Sequence, residues 1–169
     1  MMQRHQVHRC WITVVGWSPM AVVNTLWQAC EQGVVPERIV LLASPDEPRV
    51  RNSVQTVKRY LSAILQQYGV SKPDFREEPI DESDFMGFWN TLERVLDRER
   101  GCAERLVIDT TAGRKYMSAF AITQGWRSDL PVEHVYYNHM IDQRYNDVPH
   151  PLIPRHEQRL YDLLELIRR

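Results

Sequence analysis

Apolar residues in this chain fall into short β-branched runs separated by stretches with helical spacing. Residues 11–15 (WITVV), a continuous apolar run closed by Gly16, predict a buried strand. Pro19 suits the first turn of a helix, with Ser18 placed to cap it. Val22, Val23, Leu26, Trp27 and Cys30 then recur at helical spacing up to about Gly33. Residues 38–43 (RIVLLA) predict a second strand, and residues 53–68 an amphipathic helix through Val54, Val57, Leu61, Ile64 and Leu65, closing at Gly69. Residues 74–80 predict a short, charged third strand. Residues 81–100 predict a helix with Phe85, Phe88, Trp89, Leu92, Val95 and Leu96 on one side. Residues 105–109 (RLVID) predict a fourth strand, followed by a loop and a helix over 114–126. Residues 132–137 predict a fifth strand, residues 145–154 a Pro-rich irregular segment, and residues 155–169 a final amphipathic helix.

Strands alternating with helices imply right-handed crossovers and a mainly parallel sheet covered on both faces. The expected fold is therefore α/β: a Rossmann-like three-layer sandwich with helices on both faces. The length of 169 residues suits one domain spanning residues 1–169.

Composition narrows the function. With 43% apolar and 25% charged residues the chain reads as an ordinary globule. A net charge of −1 excludes a global positive field, so no duplex nucleic acid is expected as partner and any anion site must be local. Cys10, Cys30 and Cys102 are widely spaced and form no CxxC pair, which leaves reduced thiols rather than a disulfide framework or zinc knuckle. Residues 1–9 are polar, and the apolar run after them is too short for a signal core or a membrane span. A cytoplasmic protein without membrane contact is expected.

Two loops fall at strand ends, where open α/β sheets bind ligands. One is residues 16–20 (GWSPM); the other is residues 109–115 (DTTAGRK). Each feeds a helix N-terminus, whose unpaired N–H groups and positive dipole end favour a phosphate. Ser18, Thr110 and Thr111 add hydroxyl donors, and Gly113 lets the backbone approach a ligand. Arg114 and Lys115 place positive charge at a helix start, where helix stability would favour an acid, so the basic pair points to an anionic guest. Taken singly, each feature has a plainer reading: a tight turn for Gly16, ordinary caps for Ser18, Thr110 and Thr111, solvated charges for Arg114 and Lys115. Their meeting on one sheet edge favours the ligand site. GxGxxG, GxxxxGK[ST] and GxSxG are all absent. Trp17 could stack on a base or simply pack. Asn138, ending the fifth strand beside Tyr136 and Tyr137, could read a base edge, and Arg144 could reach a phosphate. His139, Asp142 and His150 lack the spacing of a metal site, so neither metal nor cofactor is expected.

Residues 106–121, LVIDTTAGRKYMSAFA, closely resemble the second signature of the CARF (CRISPR-associated Rossmann fold) family: a hydrophobic strand, Asp-x-Thr-x-Gly-x-Lys, then a helix opening with Met-Ser. Residues 14–27, VVGWSPMAVVNTLW, resemble that family's first signature, a strand followed by a small polar loop and a helix. With the strand–helix alternation, the likeness covers nearly the whole chain. Ala112 departs from a frequent glycine and leaves Gly113 in place. The resemblance implies a two-fold homodimer binding cyclic tetra- or hexaadenylate across its axis. Such domains are mostly fused to an effector such as a HEPN ribonuclease. Here no RxxxxH motif follows the sheet, and Arg51, Arg94 and Arg100 lack a histidine five residues on. The output is then expected in this domain itself or in a separate effector protein.

Some family members are ring nucleases, which cut the activator they bind. A ribose 2′-OH held in line with the neighbouring phosphate can open the ring without a metal. On that reading Lys115 stabilises charge and Ser18 positions the reacting groups, with Gly16, Trp17, Thr110, Thr111, Gly113, Arg114, Asn138 and Arg144 lining the site. Two other readings stand beside it. One is a non-catalytic cyclic oligoadenylate sensor acting through a partner. The other is a Rossmann-like mononucleotide-binding protein.

Overall fold

The computed structural model describes residues 7–168. Residues 1–6 of the polar N-terminal stretch, and Arg169 at the end of the expected last helix, lie outside the described residues. The elements run β1 (Arg9–Val14), α1 (Pro19–Glu31), β2 (Arg38–Ala43), α2 (Pro48–Gln67), β3 (Asp74–Pro79), α3 (Phe85–Glu99), β4 (Arg105–Asp109), α4 (Lys115–Gly125), β5 (Val132–Met140), β6 (Gln158–Asp162) and α5 (Leu163–Ile167). The six strands form one sheet in the order β3-β2-β1-β4-β5-β6, parallel except for the β5–β6 pair. This is a Rossmann-like α/β sandwich, and its strand order reverses between β1 and β4.

The central strands are apolar throughout because both of their faces are covered. Trp11, Ile39, Leu41 and Val107 point to one side and pack with Val22, Val23 and Leu26 of α1 and Val57 and Leu61 of α2. Ile12, Val40, Leu42 and Ile108 point to the other, against Phe88, Leu92 and Leu96 of α3 and Met117 and Ala121 of α4. The charges of edge strand β3 find partners: Asp74 with Arg38, Glu77 with Lys58, and Glu78 with Arg94 and Arg98. Glu99, buried on α3, takes Arg38 at 3.0 Å and Arg98 at 2.7 Å. These pairs push the Glu78 and Glu99 carboxyls below their ordinary range, outweighing the upward push of burial.

Several boundaries move. Helix α2 starts five residues before the expected 53, because Pro48 and the Glu47 side chain, which accepts the Arg49 N–H, already form its cap. Helix α3 starts at Phe85 under an Asp84 cap, while Asp81 instead turns back onto Ser83. The expected final helix over 155–169 is replaced by a one-turn 3-10 segment, Arg155–Glu157, then strand β6 and only five helical residues. Pairing with the exposed edge of β5 supplies Gln158–Asp162 with a ladder of hydrogen bonds, which overrides the helical spacing of its leucines. Cys10 and Cys30 are buried and Cys102 is exposed, all as free thiols. Burial pushes the Cys30 thiol up to about 12. Among the described residues no helix is long and apolar enough to cross a membrane.

The last residue of α4, Gly125, lies against β5. A Cβ there would sit 2.6 Å from Val135 Cγ2 and 3.3 Å from Ile108 Cδ1. Gly125→Ala should therefore destabilise the protein by roughly 1–3 kcal/mol through overpacking. The check is the midpoint of chemical denaturation, and an unchanged midpoint would contradict this close contact.

Candidate functional site

Strands β1 and β4 lie side by side, so the loops after them emerge together at the point where strand order reverses. A Cβ on Gly16 would lie 3.8 Å from the Gly113 nitrogen, which places the two glycine turns in contact. Gly113 has φ +95°, and a Cβ there would meet Val14 Cγ1 at 3.0 Å and Met117 Sδ at 3.2 Å. Only glycine fits such a turn without strain. Ala112, the departure from the family pattern, turns its methyl into the core beside α1 and α2.

The loop after β4 hangs on a buried carboxylate. Asp109 Oδ2 accepts the Thr13 hydroxyl at 2.9 Å, and Oδ1 accepts the Thr111 N–H at 2.9 Å. Burial raises the Asp109 carboxyl to about 6, against the downward pull of these donors. Thr110 turns inward: it is 3% exposed, and its hydroxyl and N–H both donate to the Tyr136 carbonyl. Thr111 Oγ1 accepts the Asn138 N–H at 2.9 Å and lies 3.1 Å from Thr25 Oγ1. Both threonine hydroxyls thus hold β4, β5 and α1 together.

The helix starts differ in a way that matters. Side chains cap α2, α3 and α5: Glu47, Asp84 and Asp162 each accept a first-turn N–H. The two helices that begin at the crevice, α1 and α4, have no side-chain cap and no acid in the first turn. Ser18 occupies the cap position of α1, but the expected capping bond is absent. Its hydroxyl is drawn away to Asp147 Oδ1 at 3.1 Å and the Asn146 carbonyl at 3.3 Å. Arg114 occupies the cap position of α4, and its Nε lies 2.7 Å from Glu82 Oε2. Lys115 follows, exposed and without an ion pair or hydrogen bond among the described residues.

Three openings surround these groups. A cleft of about 230 Å³ is lined by Gly16, Trp17, Gly113, Arg114 and Glu82. It continues past Trp17 and Arg114 into one of about 480 Å³ bounded by Ser44, Phe85 and Tyr116. On the far side of Ser18 a pocket of about 220 Å³ meets Asn24, Thr111, Asn138 and Met140. Trp17 is 58% exposed and does not pack into the core; the Arg49 guanidinium sits 4.5 Å above its ring.

The structure thus gathers Gly16, Trp17, Ser18, Thr111, Gly113, Arg114 and Lys115 along one edge. Asn138 joins them from below, 5% exposed, with its amide donating to Gln158 Oε1 at 3.3 Å. Arg144 stands apart on the segment after β5 and is held by Asp142 at 2.6 Å. His139 lies near the Tyr137 hydroxyl, Asp142 faces Arg144, and His150 contacts Gln158 and Glu31, so these three do not meet. Sequence reasoning missed Glu82, Asp147 and Asn24. Asn24 left a trace as a polar residue inside the apolar stripe of α1. The other two left none, because only the tertiary fold brings them to the edge.

No known family profile and no curated protein matches this chain. Solved structures do. Enterococcus italicus Csm6 bound to cyclic hexa-2'-fluoro-hexa-dAMP is similar at a TM-score of 0.64 and 11% identity, over 96% of this chain and 44% of that one. A type III CRISPR defence DNA nuclease activated by cyclic oligoadenylate matches at 0.56 and 15%, over 92% and 21%. Protein VC1899 from Vibrio cholerae matches at 0.50 and 16%, over 75% and 30%. The chain spans less than half the length of each, and at these identities the likeness shows the fold alone.

Asp109 makes stability depend on pH with a stated sign. Its folded-state value, about 6, lies above the ordinary 3.8, so the folded chain holds the proton more tightly than the unfolded one. Stability from this group is greatest below about pH 4, falls between pH 4 and 6, and stays low above. The shift of about two units corresponds to roughly 3 kcal/mol. Asp109→Asn keeps an acceptor for the Thr111 N–H and cannot titrate. The stability difference between variant and wild type should grow in the variant's favour from pH 4 to 6, and a flat difference would refute the assignment.

Proposed function

We propose that this chain is a CARF-type domain that binds a cyclic oligoadenylate, most simply cyclic tetraadenylate, at the paired helix starts beyond β1 and β4. One observation carries the reading: α1 and α4, which meet at the crevice, are the two helices described here without a side-chain cap, while α2, α3 and α5 each have one. Open N–H groups, two glycine turns and the unpaired Lys115 favour phosphate there. The Asp-x-Thr-x-Gly-x-Lys resemblance and the ligands of two similar folds supply the chemical class.

The clefts are open along the sheet edge, which leaves room for a site completed by a second copy. Helix α4 supplies a surface for it. Met117 and Ala121 face the sheet, while Ala119, Thr123 and the half-exposed Trp126 look outward on the face that begins with Lys115. An isologous pair across this helix would present both halves of a two-fold ring with identical groups. Light scattering should report a dimer; a monomer both with and without ligand would sink the arrangement.

Ring opening needs little from the protein. The 2′-oxygen bonds to the adjacent phosphorus as the P–O5′ bond breaks. The 2′ proton ends on the released 5′-hydroxyl, leaving a 2′,3′-cyclic phosphate. Lys115 would stabilise the extra charge on the phosphorane-like transition state, and Ser18 would position the phosphate. Incubation with cyclic tri-, tetra- and hexaadenylate in EDTA, with products resolved by mass, tests this directly. Lys115→Ala should slow single-turnover cleavage about a hundredfold, on the order of 3 kcal/mol of transition-state stabilisation, with an unchanged thermal midpoint. Cleavage by Lys115→Ala at the wild-type rate defeats the catalytic assignment. A ring bound tightly and returned intact makes the protein a sensor acting through a separate effector.

A further inference from the structure

Both anchor groups of the proposed anion site are already held by acids of this chain. Arg114, at the start of α4, is paired with Glu82 from the β3–α3 loop. Ser18, at the start of α1, donates to Asp147 from the segment between β5 and β6. Neither acid is adjacent in sequence to the group it meets, and each arrives on a fastened segment. The Glu82 carbonyl accepts the Tyr116 hydroxyl at 2.9 Å, and Phe85 stacks on Tyr116 at 4.1 Å. On the other side Asn24 grips residues 148–150 twice, donating to the Val148 carbonyl at 2.9 Å and accepting the His150 N–H at 2.8 Å.

The backbones are pinned, but the carboxylates are lightly held. Side-chain exposure is 64% for Arg114 and 29% for Glu82, and Asp147 is exposed, so both contacts border water and add little to stability. Elsewhere acids cap helices, join the buried Glu78 and Glu99 network, or pair with basic groups away from the crevice, as Glu133 does with Arg9 and Asp129 with Arg127. Here they stand where phosphate is proposed to bind.

We infer that Glu82 and Asp147 are specificity-determining residues, two resident carboxylates that a ligand must displace and that select polyanionic rings over single phosphates. Both the anion site and the identity of the ring rest on the reading above. A single phosphate exchanges one anion for another at one anchor and gains little. A ligand spanning both anchors makes its second exchange intramolecularly, at high effective concentration, and gains from both. The common mononucleotides are thereby kept off a site whose glycine turns and helix ends would otherwise accept them.

Removing each negative charge should strengthen binding of a single phosphate by about tenfold, the effect of one unit charge at about 3 Å where water screens it almost fully. Titration calorimetry with inorganic phosphate, AMP and cyclic tetraadenylate on wild type, Glu82→Gln, Asp147→Asn and the double variant provides the test. Phosphate and AMP should bind about tenfold more tightly to each single variant and tighter still to the double, and the preference for the ring over AMP should shrink. Phosphate and AMP affinities equal to wild type in variants with wild-type thermal midpoints overturn the inference. Should Glu82→Gln fail to fold, Asp147→Asn decides it alone. A wild type that binds no ring defeats the ring reading, and the phosphate comparison still decides this one.

Discussion

A buried carboxylate with no cation beside it among the described residues organises the sheet edge on which the candidate site stands. Where β4 ends, its backbone leaves the ladder, and the Thr111 N–H would be stranded without Asp109. The same side chain takes the Thr13 hydroxyl from β1, so one residue fastens two neighbouring strands and the loop between sheet and α4. Burial makes that charge expensive, which its raised pKa records. An apolar residue would avoid the desolvation cost but leave a buried N–H unsatisfied, at a cost of about 1–3 kcal/mol. Once Asp109 fixes Thr111, the threonine hydroxyl can reach Asn138 on β5 and Thr25 on α1. The glycine turns then lie in register because the strands beneath them do.

The segment after β5 belongs to the same construction. Asn24, Gln28, Asn138, Gln158 and His150 form a chain of amide and imidazole contacts between α1, β5, β6 and residues 148–150. Gln158 donates to His150 Nδ1 at 2.6 Å, which fixes the imidazole as an acceptor at that nitrogen and turns Nε2 towards Glu31. Because this chain of contacts holds residues 148–150, Asp147 stays beside Ser18 although it is exposed. The Pro-rich stretch is therefore ordered by polar groups that a hydropathy pattern does not weigh.

That difference explains what the sequence could and could not reveal. The inner strands are apolar on both faces, so 38–43 and 105–109 could be read to the residue. That the two loops would lie together was legible because each directly follows an apolar strand of one parallel sheet, and the glycine, hydroxyl and basic residues gathered in them marked the candidate site. Strand β6 was hidden: Leu160, Leu163, Leu164 and Ile167 fit a helical stripe, and only the open edge of β5 makes QRLYD a strand. The inward turn of Thr110 was equally hidden, since a threonine in a loop reads as a free hydroxyl until the Tyr136 carbonyl is placed beside it. Glu82 and Asp147 lie 32 and 129 residues from the groups they contact, separations that no local pattern spans.

The helix ends bring stability and binding into one account. An acidic or hydroxyl cap contributes on the order of 1 kcal/mol, and the chain uses one at α2, α3 and α5. At α1 it has the right residue and turns it elsewhere; at α4 it has an arginine where an acid would serve the helix. Stability forgone at these two ends is free energy that the proposed anion would recover, because the N–H groups and dipole are already aligned. The long-range acids compensate part of that loss in the free protein without sealing the ends, since they contact side chains rather than the first-turn N–H groups. A local cap would have made the helices more stable and the edge inert.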